Sequence, residues 1–280
     1  MGESVKVTVA MGVYEPRNLE QLRLAVQSIL DQTCGDWELL LYDDGSREPW
    51  RRAIASLHRL DSRIRCLRGE ENRGLGWAMN QCLEKGRGAF FARMDHDDWA
   101  APCRLQRQAA FLESHPQYQW VGSNAELTDA GGVWGLQRMP QIPEKRDFLY
   151  NSPYLHPTVT FRTAALKAAG GYDPSPRYLL CEDYELFFRL HQRGMRGYNL
   201  QEPLLRYWED CGSLRRRTFS RRLREVRVRA EGFRRLGLGG AAVLPYVGKP
   251  LLAAAIPGPV HHYVRRRRFW EQGENCHGLL

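Results

Sequence analysis

Two short apolar runs in this chain each end in a cluster of acidic residues. Residues 89–92 (Ala-Phe-Phe-Ala) lead into Arg-Met-Asp-His-Asp-Asp-Trp at 93–99, and residues 39–42 (Leu-Leu-Leu-Tyr) lead into Asp-Asp-Gly-Ser at 43–46. Apolar runs of this length predict buried strands, and open α/β sheets bind ligands at the carboxyl ends of their strands. Carboxylates suit Mg²⁺ or Mn²⁺, and such ions bind phosphates. A solvated acidic turn is the alternative for either cluster alone, but two acidic strand ends favour a metal and phosphate site.

Strand and helix patterns alternate through the first hundred residues. Apolar runs predict strands at 5–13, 37–42, 63–67 and 89–94. Apolar residues at helical spacing predict helices at 19–30, 50–60 and 77–84. This order predicts an α/β fold with a mostly parallel, right-handed wound sheet that is flanked by helices.

After residue 102 the alternation becomes less regular. Helices are predicted at 104–114, 163–169 and 182–192, and strands at 120–127, 133–136 and 158–162. The hydrophobic fraction of 43% is ordinary for a globular protein, which excludes global disorder.

The positive charge of the chain is concentrated near its C-terminus. The formal net charge is +9, and ten arginines lie between residues 215 and 235 against two glutamates. Residues 241–260 are apolar but contain four prolines and Lys249, so they fall short of the ~20 uninterrupted apolar residues of a membrane-spanning helix. Four arginines at 265–268, followed by Phe and Trp, complete a pattern that is typical of a helix on an anionic membrane surface. A solvated basic helix and a nucleic-acid surface are the alternatives.

The N-terminus and the cysteines indicate a compartment. The first residues lack the basic region and the long apolar region of a signal peptide, and the seven cysteines have no metal-ligand spacing. We interpret the thiols as reduced, which predicts a cytoplasmic protein that is at most peripheral on the inner face of the cell membrane.

Taken in order, several segments resemble glycosyltransferase family 2, whose members have the GT-A fold. The resemblance extends over about residues 5–213, with matching segments at 8–15, 28–33, 36–39, 43–46, 72–80, 95–97, 156–159, 170–173, 181–186 and 204–213. Gly12 and Glu15 replace the Pro and the Asn that are usual in the family. The resemblance implies a domain at 1–213 with a nucleotide-sugar half (1–101) and an acceptor half (102–213), followed by a basic helical region at 214–280.

For the first half, the resemblance implies contacts with a nucleotide-sugar. Gly12, Val13 and Tyr14 would flank the base, and Asp44 would accept a hydrogen bond from uracil N3, a donor that cytosine lacks. Packing of Tyr14 and a turn-capping role for Asp44 are the alternatives. Arg73 would meet a phosphate or the base, unless it is a plain surface arginine.

The acidic cluster at 95–98 resembles the family's Asp-Xaa-Asp motif. Asp95 would contact ribose or the water shell of the metal, and Asp97 would ligate Mn²⁺ or Mg²⁺. The cation would offset the charge that builds on the departing UDP. We expect Asp98 to cap the following turn and His96 to be a bystander.

In the second half, the resemblance implies the groups that act on the acceptor. Asp183 would be the general base, although an acid at a helix start also complements the helix dipole. Glu182 would contact the acceptor sugar, and His156 would contact the donor sugar or a phosphate unless it is a structural histidine. Asp210 stands where the family often has a His metal ligand, and Trp208 replaces a frequent Arg.

The sequence as a whole predicts an inverting, metal-dependent transferase. It would move a sugar from a UDP-sugar to a lipid-linked glycan acceptor in cell-surface polysaccharide synthesis. No nucleic-acid partner is expected. A metal-dependent nucleotidyltransferase, which would release pyrophosphate, is one alternative. A nucleic-acid-binding protein that uses the arginines at 215–235 is another, but it leaves the two acidic strand ends unexplained.

Overall fold

The computed structural model describes residues 5–209, 218–254 and 258–270, and these residues form one nine-stranded sheet with helices on both faces. The strands are β1 Val7–Val13, β2 Trp37–Asp43, β3 Ile64–Arg68, β4 Phe90–Arg93, β5 Trp99–Ala100, β6 Trp120–Asp129, β7 Gly132–Gln137, β8 Thr160–Arg162 and β9 Gly197–Trp208. The helices are α1 Leu19–Leu30, α2 Trp50–Ser56, α3 Leu75–Lys85, α4 Arg104–Ser114, α5 Thr163–Ala168, α6 Glu182–Gln192, α7 Phe219–Arg235, α8 Leu244–Ala254 and α9 Gly258–Trp270. The predicted α/β class is confirmed.

The sheet has a parallel half and a mixed half. Its order is β3-β2-β1-β4-β8-β6-β9-β5, with β7 paired to β6. The first four strands are mutually parallel, so β2, β1 and β4 end at one edge, as the alternation of elements predicts. β8 joins β4 and β6 antiparallel, and β9 runs parallel to β6.

Alternate side chains of the central strands pack into two apolar layers, one on each face of the sheet. Leu40 and Phe91 point into the layer under α3 and α6, whereas Leu39 and Ala92 point into the layer under α1 and α4. A strand that is buried on both faces reads as a continuous apolar run, which is why β2 and β4 could be recognised in the sequence.

Helix boundaries agree with the sequence where the apolar spacing is regular. The predicted bounds of α1, α4 and α6 are those of the structure. The twelve-residue β9 was not predicted, because Pro203 and adjacent polar residues interrupt its pattern and only part of it is buried. This strand matters for the site because it brings Trp208 to the acidic cluster.

The basic C-terminal region packs on the rest of the protein. Gly232 of α7 lies against the ring of Phe188 on α6, where a Cβ atom would overlap the ring. Arg229 is 1% exposed and donates to the carbonyls of Leu149 and Tyr150. Part of the arginine-rich segment therefore stabilises the fold instead of facing solvent.

α9 folds back onto the β6–β7 hairpin. Its Arg265 pairs with the buried Glu209 at 2.7 Å, and its Phe269 lies against Gly135. Among the described helices, none has both the length and the apolar character that crossing a membrane requires. The expected boundary between residues 213 and 214 lies outside the described residues.

Candidate active site

Three aspartates meet at the carboxyl end of β4. Carboxylate oxygens of Asp95, Asp97 and Asp98 all lie within 4.8 Å of one another. Burial and the charge of Asp95 raise the pKa of Asp97 above its ordinary value. Hard oxygen donors at this spacing are the ligand type that Mg²⁺ and Mn²⁺ prefer.

Asp98 is the most buried of the three aspartates, at 1% exposed. Its Oδ1 accepts the backbone N–H of Trp208 at 2.8 Å, so it caps the end of β9 and not the following turn that the sequence indicated. Its Oδ2 is buried and has no hydrogen-bond partner among the described residues. Burial and the two neighbouring carboxylates raise the pKa of Asp98 well above its usual range. A divalent cation would satisfy the unpaired oxygen and offset this repulsion, so the residues fit the metal that the sequence predicted.

Arg93, the last residue of β4, holds Asp95 in place. The Arg93 guanidinium donates to the two Asp95 oxygens at 2.7 and 2.6 Å, and its residue is 3% exposed. Arg104 fixes the Arg93 backbone by donating to its carbonyl at 2.7 Å. Burial alone would lower the pKa of Arg93, but the pairing with Asp95 outweighs it and raises the pKa.

The two aspartates that end β2 have different partners. Asp43 accepts the N–H of Ser46 at 2.8 Å and pairs with Arg68, so it is the turn-capping residue. Asp44 is 4% exposed and accepts the backbone N–H groups of Arg73 at 3.1 Å and Gly74 at 2.7 Å. Burial raises the pKa of Asp44. Asp44 thereby joins the end of β2 to the start of α3.

The predicted base-flanking residues lie at the end of β1. Val13 is buried, whereas Tyr14 is 42% exposed. A Cβ atom on Gly12 would lie 3.1 Å from Leu75 Cδ1, so the absence of a side chain lets α3 approach the strand. The Arg73 guanidinium stacks 3.5 Å above the Trp77 ring centroid, which is a cation–π contact in the first turn of α3.

The charge that distinguishes Glu15 from the family's usual Asn is neutralised locally. Glu15 pairs with Arg47 at 2.7 Å, and its N–H donates to Ser46 Oγ at 3.0 Å. Its φ of 38° lies in the left-handed region that Asn tolerates better, which explains the usual residue.

Glu182 and Asp183 open α6. Glu182 is 6% exposed, and its Oε2 is buried without a partner among the described residues. Burial and the charge of Asp183 raise the pKa of Glu182 to about 7. Burial also raises the pKa of Asp183, against the effect of the Tyr184 N–H and of Arg93. Adjacent acids with raised pKa values, here the buried Glu182 and the half-buried Asp183, are typical of proton-transfer sites.

His156 is a buried residue that contacts Tyr172. Its Nε2 is 2.8 Å from the hydroxyl of Tyr172, and the residue is 5% exposed. Burial, with a further effect of Arg93, lowers the pKa of His156 well below its usual value. The imidazole is therefore a hydrogen-bonded group inside the protein whose neutral form is favoured by burial.

Sequence reasoning missed Arg93, Tyr172 and the role of the Trp208 backbone. Of these, Arg93 could have been recognised from the sequence, because a cation within a buried strand needs a partner close by. The predicted metal ligand Asp210 lies outside the described residues.

Comparisons with known proteins agree with this geometry. The family model described as Glycosyl transferase family 2 matches residues 8–169. EpsE of Bacillus subtilis (strain 168), provisionally classed as a glycosyltransferase, is 35% identical over 277 residues, which cover 98% of each chain. The amylovoran biosynthesis glycosyltransferase AmsE of Erwinia amylovora is 30% identical over 201 residues, 71% of this chain and 74% of AmsE.

Solved structures share the fold at lower identity. The S. aureus TarS 1–349 complex with UDP-GlcNAc is 21% identical with a TM-score of 0.65, over 89% of this chain and 72% of that one. The mannosyltransferase PcManGT from Pyrobaculum calidifontis, in complex with GDP-Man and Mn²⁺, is 16% identical with a TM-score of 0.59, over 93% and 78%. The same sheet and helices therefore occur in proteins that bind nucleotide-sugars.

Proposed function

The chain belongs to glycosyltransferase family 2, and we propose that it transfers a sugar from a UDP-sugar to a lipid-linked glycan acceptor with inversion at the anomeric carbon. The observation that carries the proposal is the cluster of Asp95, Asp97 and Asp98 at the end of β4, with an unpaired Asp98 oxygen inside it. The TarS and PcManGT complexes support a nucleotide-sugar donor. The name of AmsE supports a role in polysaccharide synthesis.

Binding of the donor would use the edge formed by β1, β2 and β4. Tyr14 would stack on the base and Arg73 would meet a phosphate after leaving the Trp77 ring. Asp44 would accept from uracil N3, since a carboxylate offers about four lone-pair sites and two backbone donors leave capacity.

Asp97 and Asp98 would hold Mn²⁺ or Mg²⁺, with Asp95 on ribose or on the water shell of the metal. When bound, the cation supplies charge stabilisation to the diphosphate. The Arg93 pairing keeps the Asp95 carboxylate in one orientation, so the protein does not have to reorganise it during the reaction.

Asp183 would take the proton of the acceptor hydroxyl as that oxygen attacks the anomeric carbon, and the bond from this carbon to the β-phosphate oxygen would break as UDP leaves. Its raised pKa brings the base closer to neutral pH, where proton transfer is more effective. Glu182 would hydrogen-bond the acceptor sugar. His156 would contact the donor sugar after its hydrogen bond with the Tyr172 hydroxyl rearranges. A single displacement of this kind inverts the anomeric configuration.

Calorimetric titration of UDP tests the donor site. Wild type should bind UDP with Mn²⁺ and lose that binding in EDTA, and Asp97→Ala should not bind under either condition. Asp36→Ala is the matched control, because this exposed aspartate precedes β2 at the opposite edge of the sheet. Binding of GDP or CDP in place of UDP would overturn uracil as the nucleobase of the donor. In a transferase assay, release of pyrophosphate in place of UDP would favour a nucleotidyltransferase.

A membrane-surface position is the second part of the proposal. Tyr263 on α9 is 64% exposed and Trp270 52% exposed, beside the exposed Arg267. Apolar and basic side chains on one short helix favour binding to anionic lipid. In liposome flotation the protein should rise with anionic vesicles, and Tyr263→Asp should reduce this whereas Leu60→Asp, at a residue 54% exposed, should not. A chain that stays at the bottom with anionic vesicles would contradict the position.

A further inference from the structure

A cavity of about 630 Å³ lies outside the acidic cluster, between the segment 137–153 and helices α7, α8 and α9. Its volume is within the roughly 300–1,000 Å³ of small-molecule sites. Six cationic side chains line it: Arg138, Arg222, Arg229, Lys249, Arg265 and Arg268. Only two acidic side chains, Asp147 and Glu225, do so among the described residues. The described lining therefore carries an excess of positive charge, although Arg222 and Arg229 share Glu225 as an ion-pair partner.

Several of these cations are held rigidly by the protein. Lys249 Nζ donates to the Tyr150 carbonyl at 2.6 Å, and Arg229 donates to the same carbonyl at 3.3 Å. Arg265 is paired with Glu209 at 2.7 Å. Because these contacts already hold the cations in place, less conformational entropy is lost when an anion binds beside them.

Arg222 has unused hydrogen-bonding capacity. Its side chain is 8% exposed, and its one described ion pair is a 3.4 Å contact with Glu225. Its Nε is buried without a hydrogen-bond partner among the described residues. A buried donor of a charged group is costly when unpaired, so a ligand oxygen at this position would be stabilising. Arg268, at the other side, is exposed and has no ion pair with any described residue.

Part of the cavity lining is apolar and exposed. Leu252 of α8 is 71% exposed and Val264 of α9 is 56% exposed, and both line it together with Pro250 and Phe269. Exposed apolar side chains next to a cationic wall match a ligand that has an anionic head and a hydrocarbon chain.

The cavity adjoins the proposed catalytic acids through α7. Arg221 precedes Arg222, and its charge acts on both Glu182 and Asp183. Glu225 lines the cavity, and its charge acts on Cys181, directly before α6. α7 therefore carries both residues that line the cavity and residues whose charges act at the start of α6.

We propose that this cavity binds the phosphate or diphosphate head of an amphiphile whose hydrocarbon chain lies along α8 and α9. The inference rests on the proposed function, because it assigns the cavity to the lipid-phosphate end of the acceptor. Inorganic phosphate shares the chemistry of the head, so the test must separate the two sources.

The test titrates the full chain in EDTA with farnesyl diphosphate, with inorganic pyrophosphate and with farnesol. EDTA prevents diphosphate from binding through a metal at the acidic cluster. Arg268→Glu and Arg222→Gln should each weaken farnesyl diphosphate binding about tenfold or more, as the loss of one charge-assisted hydrogen bond implies. Arg227→Glu is the matched control, because it makes the same charge change as Arg268→Glu at an exposed residue of α7 that does not line the cavity.

Each outcome bears on the inference. Binding of farnesyl diphosphate well above pyrophosphate and farnesol, with the variant pattern above, supports it. Equal binding of pyrophosphate would show that the hydrocarbon chain contributes nothing and would overturn the amphiphile. An equal loss of binding with Arg227→Glu would overturn the site. UDP binding with Mn²⁺, measured on the same samples, separates the two proposals. If UDP still binds but farnesyl diphosphate does not, this inference alone is overturned. If farnesyl diphosphate binds but UDP does not, the cavity cannot be assigned to the acceptor of a UDP-sugar transferase.

Discussion

Arg93 donates two hydrogen bonds to Asp95, at 2.7 and 2.6 Å, from a side chain that is 4% exposed. The pair joins the last residue of a buried strand to the first acid of the cluster. Arg93 also acts electrostatically on Asp183 and His156, so one cation influences both the acidic cluster and the proposed general base.

Replacing Arg93 tests how far this pairing orients the site. Arg93→Lys retains the charge but loses the bidentate geometry, so we expect a loss of about 1.5–3 kcal/mol in unfolding free energy and at least a tenfold loss in kcat/KM. Urea unfolding and transferase assays measure the two quantities. Arg63→Lys is the control, because Arg63 makes a similar two-bond pair with Asp61 away from the cluster. Equal losses of activity in both variants would contradict an orienting role.

The unpaired oxygen of Asp98 leads to a prediction about metal and stability. Mn²⁺ should raise the Tm of wild type, because a ligand that binds only the folded state stabilises it by about 2.7 kcal/mol at a hundred times its Kd. Asp98→Asn removes the charge of a metal ligand, so the Mn²⁺-dependent rise in Tm should largely disappear. Stability in EDTA should not fall, because the substitution also removes a carboxylate that is buried beside Asp95 and Asp97. Calorimetry with Mn²⁺ or EDTA measures this, with Asp36→Asn as control. The same Mn²⁺ response in all three proteins would exclude Asp98 as a ligand.

Much of the fold was predictable because its signal is local. The helices α1, α4 and α6 have regular apolar spacing, and β2 and β4 are continuous apolar runs. β9 lacks such a pattern, since its pairing with β6 and β5 and not its composition makes it a strand.

The site was predictable in its acids but not in their partners. Asp98 bonds to a backbone N–H that is 110 residues away, and no pattern along the chain encodes that contact. The burial of Arg229 within a basic run is a further example, because only tertiary packing of α7 places carbonyl acceptors around it.

The raised pKa of Glu182 predicts how stability changes with pH. A carboxyl whose pKa rises from 4.5 to about 7 on folding stabilises the folded state fully below pH 4.5, and this contribution is lost as the pH rises through 7. Relative to Glu182→Gln, wild type should therefore lose up to roughly 3 kcal/mol of unfolding free energy between these pH values. Urea unfolding from pH 4.5 to 8 measures the difference. Glu84→Gln, at an exposed residue of α3, should follow wild type, and a constant difference across this range would refute the assignment.

The contact between Gly232 and Phe188 predicts that α7 is integral to the fold. Ala at a helix interior is favoured over Gly by about 1 kcal/mol, but overpacking costs about 1–3 kcal/mol. Because a Cβ atom at 232 would overlap a fully buried ring, we expect the overpacking to dominate and Gly232→Ala to lower the unfolding free energy. Urea unfolding measures the change, and Gly239→Ala is the control, since a Cβ there meets no atom within 4 Å. If Gly232→Ala were instead more stable than wild type by the full helix-propensity gain of about 1 kcal/mol, a Cβ atom at 232 would meet no obstacle and α7 would not pack on α6 as described.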